Sequence, residues 1–197
     1  MHKSRVEGFS DGVIAIIITI MVLELRPPHT ASWSALGPMV PTLLSYVLSF
    51  VFTGIYWNNH HHLFQAAHQV NGRVLWANLH LLFWMSMFPF ITAWLGDSHF
   101  APVPVAVYGI VMLMAGVAYF VLSRVLVAHH GRESALARAG GRDGKGLASL
   151  LMYAAAVALS FVDPRLSCAL YVAVAILWLV PDKRIERTLA NSERETA

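Results

Sequence analysis

Residues 5–25 read RVEGFSDGVIAIIITIMVLEL, and this stretch decides the fold because it joins a charged start to a long apolar run. A helix that began only after the potential capping residues Ser10 and Asp11 would span roughly 21 Å, less than the hydrocarbon core of about 30 Å. A helix that begins near Arg5 reaches roughly the full thickness. The sequence therefore predicts a transmembrane helix over residues 5–25 that contains Ser10 and Asp11.

The predicted helix has two different faces. At about 100° per residue, one stripe carries small and branched apolar side chains with a single hydroxyl. The stripe consists of Arg5, Gly8, Gly12, Ile16, Thr19, Ile20 and Leu23. Ser10 and Asp11 point away from it, and a carboxylate at that depth is costly unless it finds protein partners. We therefore expect Asp11 to face the helix bundle, whereas periodicity alone does not distinguish a pore-lining stripe from ordinary helix packing.

The composition is that of a membrane protein, with 57% hydrophobic residues, 13% charged residues and a mean hydropathy of +0.58. Its basic residues are spread between apolar runs, so the net charge of +3 does not indicate nucleic acid as a partner. Cys168 is the single cysteine, which excludes an internal disulfide. The sequence contains neither HExxH nor GxSxG, and no enzyme is predicted.

Six apolar segments are predicted to cross the membrane as helices, which gives an all-α integral membrane protein with one domain over residues 1–197. They cover about residues 5–25, 39–61, 74–95, 103–127, 146–162 and 166–181. Residues with helix-stopping chemistry separate them. The last two segments are separated only by VDPR and can also be interpreted as one broken segment, but a helical hairpin is preferred.

The distribution of basic residues predicts that both termini are cytoplasmic. Of the 14 Lys and Arg residues, only Arg26 and Arg165 fall on the outer side in this arrangement. Residues 129–146 are then a flexible cytoplasmic linker, and residues 183–197 form a cytoplasmic tail.

The first helix also carries a family resemblance. Arg5, Phe9, Ser10, Asp11 and Gly12 in RVEGFSDG resemble the RxxxFSD signature that opens the transmembrane protein 175 family of potassium channels. The stretches YVLSFVFTGIYWNNHHHLF and NLHLLFWMSMFPF resemble the second and third helices of that family. The match is specific over residues 5–94, and six spans with a cytoplasmic N-terminus are typical of the prokaryotic members. The resemblance therefore implies a multi-pass protein in the plasma membrane of a prokaryote.

The resemblance also implies a homotetramer in which the first helices line a central pore for K⁺, surrounded by lipid and without a cofactor. A carbonyl filter of the TVGYG type is not expected, and none occurs in the sequence. Ile16 occupies the position of the pore constriction in that family, and Ile20 and Leu23 extend it. Thr19 occupies the position associated with potassium preference. Arg5 lies at the cytoplasmic mouth, where we expect it to turn toward Glu7 or another subunit.

Ten histidines raise the possibility of a metal site, above all at His60, His61 and His62. Consecutive helical residues point about 100° apart, so these three do not converge on one ion, and no metal is predicted. Buried polar groups need hydrogen bonds, which makes Trp57, His60, His61 and His80 the candidate partners of Ser10 and Asp11. The family resemblance indicates the same role for the histidine and tryptophan of the second helix.

Two other functions fit some of the same residues. A haem protein could use two histidines from different helices, such as His61 and His80, as iron ligands. A proton-coupled transporter could use Asp11 and a histidine as a proton relay. The first span contains no Gly or Pro after Gly12, and the sequence shows no inverted repeat, so a potassium channel is preferred.

Overall fold

The computed structural model describes residues 3–67, 69–130 and 144–179, and these contain seven α-helices and no strand. A 3₁₀-helix over Trp33–Met39 leads into the second α-helix. The α-helices are α1 (Lys3–Leu23), α2 (Val40–Gln65), α3 (Gly72–Ser86), α4 (Phe88–Asp97), α5 (Pro102–His130), α6 (Gly144–Leu159) and α7 (Pro164–Leu179). The predicted all-α fold is confirmed.

Four helical segments have the length and hydropathy to cross a membrane, namely Lys3–Leu23, Trp33–Gln65, Gly72–Asp97 and Pro102–His130. The two shorter apolar helices α6 and α7 pack against each other after a tight turn, in which Asp163 Oδ1 accepts the Arg165 backbone N–H at 2.9 Å. The last two apolar segments are therefore separate helices. The cytoplasmic placement of the termini stays a prediction, as does the division into linker and tail. Residues 131–143 of the linker and the whole tail lie outside the described residues.

The third apolar segment is broken at Met87 between α3 and α4. Pro89 has no backbone N–H to continue the helical ladder, and the Met87 N–H bonds to the Trp84 carbonyl oxygen at 3.2 Å in a tighter turn. The two halves have different principal neighbours, because α3 packs chiefly on α5 and α4 packs chiefly on α2.

The contact between α2 and α4 is close and contains buried hydroxyl groups. Ser45 Oγ donates to the Thr92 carbonyl oxygen at 3.1 Å, and Thr92 Oγ1 lies 2.7 Å from Ser49 Oγ. A side chain at Gly96 would put its Cβ 2.6 Å from the Thr42 Cα, so only glycine permits this approach. This packing holds α4 against α2 beside the C-terminal half of α1.

One face of α1 packs into the bundle and the other does not. The buried residues recur every three or four positions and are Val6, Ser10, Ile14, Ile17 and Met21. The opposite face is exposed on the single chain although it lies in a strongly apolar helix. This exposed face contains the stripe described from the sequence.

Candidate functional site

The exposed face of α1 carries the three residues predicted to form a constriction. Ile16, Ile20 and Leu23 are 60%, 42% and 73% exposed, whereas Ile14 and Ile17 of the same helix are buried. Exposing such apolar side chains to lipid costs no hydration free energy, whereas exposing them to an aqueous pathway does. The structure therefore makes these three side chains available to other chains, to lipid or to a pore.

Thr19 lies in the middle of this exposed face. Its hydroxyl group donates to the carbonyl oxygen of Ala15 at 2.9 Å. A threonine hydroxyl has one hydrogen and two acceptor lone pairs. Because the hydrogen is directed at the helix backbone, the lone pairs are the part of the group that a cation on this face would meet.

Ser10 anchors α1 through a buried chain of hydrogen bonds. His60 Nε2 donates to Asn78 Oδ1 at 2.8 Å, and Asn78 Nδ2 donates to Ser10 Oγ at 2.9 Å. The Ser10 hydroxyl in turn donates to the Val6 carbonyl oxygen at 2.8 Å. Each group in this chain is buried and has a partner, which is the arrangement that makes a polar network stabilising. It ties α1, α2 and α3 together at one depth.

Asp11 differs from Ser10 in its surroundings. Its side chain is exposed on the single chain, where Trp57 Nε1–H donates to Asp11 Oδ1 at 3.1 Å. His61 stacks on the Trp57 ring with 5.9 Å between centroids. Asp11 was expected to face the helix bundle; in the single chain, a step of 100° from the buried Ser10 places it at the edge of the packed face, in contact with Trp57 of α2.

The remaining predicted residues lie apart from this anchor. His80 bonds within its own helix, where its Nε2 accepts from Trp84 Nε1 at 3.0 Å, so it does not contact Ser10 or Asp11. Phe9 and Gly12 lie on the exposed side of α1. Arg5 makes no ion pair within the described residues. Glu7 pairs with Lys3 at 3.9 Å, so the expected turn of Arg5 toward Glu7 is not what the structure has.

The structure gives little support to the haem and metal alternatives. His61 stacks on Trp57 and His80 bonds to Trp84, so the two proposed haem ligands belong to separate contacts. In the part of the chain that the structure describes, no group of three or more His, Cys, Asp and Glu side chains could hold a metal ion.

Asn78 is the site residue that the sequence interpretation missed. It is the central link between His60 and Ser10. Its signal was present in the sequence, because an asparagine within an apolar span needs hydrogen-bonding partners. The sequence pattern favoured His80, two positions later, for this role.

An open groove borders the exposed face of α1 at the C-terminal ends of α1 and α4. It is lined by apolar and aromatic side chains together with two carboxylates. The lining residues are Ile20, Glu24, Ser86, Pro89, Phe90, Ala93, Trp94 and Asp97. The exposed face of α1 is thus flanked by α2 at Trp57 and by α4 at this groove.

Comparison with known proteins identifies similar chains. A family model described as endosomal/lysosomal potassium channel TMEM175 matches residues 5–89. A protein named potassium channel from Chryseobacterium sp. strain P1-3 is 52% identical over 98% of this chain and 100% of its own length. Another potassium channel, from Streptomyces collinus, is 36% identical over 60% of this chain and 61% of its own length. The crystal structure of a lysosomal potassium-selective channel TMEM175 homolog from Chamaesiphon minutus superposes with a TM-score of 0.79 at 27% identity, covering 90% of this chain and 96% of that one.

Proposed function

Because the chain belongs to the TMEM175 channel family, we propose that it conducts potassium through a pore on the axis of a homotetramer, lined by the exposed face of α1. Members of this family are ion channels rather than enzymes. The permeant ion is K⁺, no cofactor takes part, and the protein lies in the plasma membrane of a prokaryote with both termini in the cytoplasm.

The observation that carries the proposal is the unpaired face of α1. Gly12, Ile16 and Thr19 share this face, and no other helix among the described residues covers them. For Gly8 and Gly12, none of the other described helices has an atom near the position that a Cβ would take. Four copies of this face around an axis would form a narrow channel. Its cytoplasmic half would be lined by Gly8 and Gly12, which have no side chains to obstruct it.

Ile16 is the gate in this proposal. Four isoleucine side chains around a narrow axis leave too little room for a hydrated ion and favour a dry constriction. Ile20 and Leu23 lie one and two turns farther out and extend the apolar section. Conduction then requires the Ile16 ring to widen or to become wetted.

Thr19 sets the preference for potassium. Its lone pairs face away from the helix because its hydrogen is donated to Ala15. Four such oxygens just beyond the Ile16 ring replace part of the hydration shell of an ion without holding it as tightly as carboxylates would. Arg5 does not belong to this pathway, since four positive charges at the mouth would repel K⁺. With Glu7 taken by Lys3, Arg5 turns to an acceptor on a neighbouring subunit.

The signature residues hold the pore helix in place. Ser10 is fixed through Asn78 and His60, and Asp11 is held by Trp57. Phe9 and Gly12 lie on the exposed side next to these anchors. This arrangement fixes the rotation of α1, so that Ile16 and Thr19 face the axis.

The testing experiment measures K⁺ and Na⁺ flux in liposomes that hold the purified protein, with the wild type beside Ile16→Asn. We expect potassium-preferring flux that rises several-fold or more in the variant, because a polar side chain wets the constriction. Ile176→Asn is the matched control, since Ile176 is similarly exposed but lies on α7, and it should leave the flux unchanged. An absence of flux from both the wild type and Ile16→Asn would refute the channel, and an absorbance band typical of haem would favour the histidine-ligated alternative.

A further inference from the structure

Two adjacent histidines at the C-terminal end of α5 hold the segment that joins α2 to α3. The Gln69 backbone N–H donates to His130 Nε2 at 3.2 Å, and the side-chain amide of Asn71 lies 3.1 Å from His129 Nδ1. The same Asn71 caps α3, because its Oδ1 accepts the Val74 backbone N–H at 3.0 Å. The contacts of Gln69 with His130 and of Asn71 with His129 together form what we call the histidine clamp.

The partners of the two rings fix their protonation states. A backbone N–H is only a donor, so His130 Nε2 accepts, and the ring proton is on Nδ1, which donates to the Leu126 carbonyl oxygen at 2.9 Å. Because Asn71 Oδ1 accepts from α3, it is the amide nitrogen of Asn71 that faces His129, and His129 Nδ1 accepts its hydrogen. Both histidines are therefore neutral in the clamp.

A proton added to either ring opposes its contact. A charged histidine carries hydrogen on both nitrogens, so His130 Nε2 and His129 Nδ1 would each direct an N–H at another N–H. A rotation of the Asn71 amide would give His129 an acceptor, but it would take the oxygen away from the cap of α3. The clamp therefore holds only while both histidines are neutral, and histidine is the side chain that changes its charge between about pH 5 and 8.

The charges around the clamp also oppose a proton on it. The charged and titratable side chains of the adjoining turns are Lys3 and Glu7 of α1, His62 of α2, Arg73 of α3, Arg124 of α5 and Lys145 of α6, together with His68, which lies outside the described residues. Glu7 is the only acid among them, and it pairs with Lys3 at 3.9 Å. The positive end of the α3 dipole lies at Asn71, whereas the C-terminal dipole of α5 favours a charged histidine with or without the clamp. Protons therefore bind more weakly to the clamped state than to a state in which the segment is released.

We infer that the histidine clamp is a proton-sensitive switch, in which acidification charges both rings, breaks both contacts and releases residues 69–71 together with the cap of α3. Lys3 Nζ donates to the Gln65 carbonyl oxygen at 3.4 Å, so the switch responds to the pH at the end of the bundle where α1 begins. The released helix α3 carries Asn78, which holds Ser10 of α1. The switch thus acts on the anchor of α1, and its existence does not depend on the proposed pore.

The test is amide hydrogen exchange, measured by mass spectrometry on the full-length protein in detergent at about pH 8 and about pH 5, with each rate divided by the intrinsic rate at that pH. In the wild type, protection of the amides of residues 69–75 should be about tenfold lower at the acidic pH, because two hydrogen bonds are lost. The double variant His129→Asn with His130→Gln places amide oxygens where Nδ1 and Nε2 accept, and these do not titrate. It should keep its protection at both pH values, whereas the double variant with Leu at both positions should have low protection at both. His62→Gln and His68→Gln are the controls and should retain the pH dependence of the wild type.

Three outcomes would overturn the inference. Protection of residues 69–75 that does not change with pH in the wild type would show that the clamp is not a switch. A pH dependence that persists in the Asn and Gln double variant, or that disappears in His62→Gln or His68→Gln, would assign the proton to another group. If the amide side chains fail to replace the rings, the Leu double variant decides at about pH 8, where protection equal to that of the wild type would refute the clamp. Ion flux is not part of this measurement, so a failure of the proposed channel and a failure of the switch are distinguishable.

Discussion

Asn78 on α3 donates its side-chain N–H to the hydroxyl of Ser10 on α1 at 2.9 Å, and this bond fixes the rotation of the first helix. His60 completes the arrangement by donating to Asn78 Oδ1. All three side chains are buried. A change at Asn78 therefore acts on α1 without touching its exposed face.

Replacing Asn78 by Leu should destabilise the fold. The change leaves the buried His60 Nε2–H without its acceptor and removes the donor to the Ser10 hydroxyl, and an unsatisfied buried polar group costs about 1–3 kcal/mol. Thermal unfolding in detergent should show an unfolding temperature lowered by several degrees. Asn58→Leu serves as the control, since Asn58 is exposed and makes no side-chain hydrogen bond within the described residues. Equal unfolding temperatures for both variants would contradict the anchoring role of Asn78.

Replacing Thr19 by Val should weaken the preference for potassium. Valine has nearly the shape of threonine but offers no oxygen to an ion that has lost part of its hydration shell. Reversal potentials in K⁺ and Na⁺ solutions should show a permeability ratio lowered several-fold, whereas Thr19→Ser should stay near the wild type. An unaltered ratio in Thr19→Val would remove Thr19 from the selectivity proposal.

Replacing Asp11 by Ala should weaken assembly. The change removes the acceptor for Trp57 Nε1. We expect a smaller tetrameric fraction in light-scattering measurements, while the helix content of the protein is retained. Asp97→Ala is the comparison, because Asp97 lies at the C-terminal end of α4 in the open groove. A tetramer of unchanged stability in Asp11→Ala would count against the anchor.

Replacing Gly96 by Ala should separate α4 from α2. The added Cβ would lie 2.6 Å from the Thr42 Cα and 2.8 Å from Ser45 Oγ, and backbone cannot yield as a flexible side chain can. The expected cost is about 1–3 kcal/mol of unfolding free energy, as for other overpacked positions. Gly54→Ala on α2 has open space at the same atom and should be neutral or slightly stabilising because alanine favours helices. If the two variants unfold at the same temperature, the close approach of α4 to α2 at Gly96 does not determine the stability of the fold.

The helices and the two faces of α1 could be predicted from the sequence because they depend on local patterns. Apolar segments of sufficient length predict membrane helices, and a period near 3.6 separates Ile14 and Ile17 from Ile16 and Thr19.

Contacts between distant residues were harder to predict. Ser10 and Asn78 are 68 positions apart, and their bond depends on how α1 packs against α3. Several polar residues of the second and third helices were candidate hydrogen-bonding partners of Ser10. Their spacing in the sequence does not indicate which of them makes the bond. The position of Asp11 at the edge of the bundle likewise depends on the rotation of α1, which its neighbours set.

The break at Met87 has a mechanical consequence. The third apolar segment consists of two short helices that have different principal neighbours. The helix α3 packs chiefly on α5, and α4 packs chiefly on α2. At the N-terminal end of α3, the amide of Asn71 is hydrogen-bonded to His129 at 3.1 Å, which joins the start of α3 to the end of α5. A displacement of the end of α5 would therefore act first on α3 and its Ser10 anchor, whereas α4 beside Ile20 is held chiefly by α2. The N-terminal and C-terminal halves of α1 thus rest on helices that have different principal neighbours.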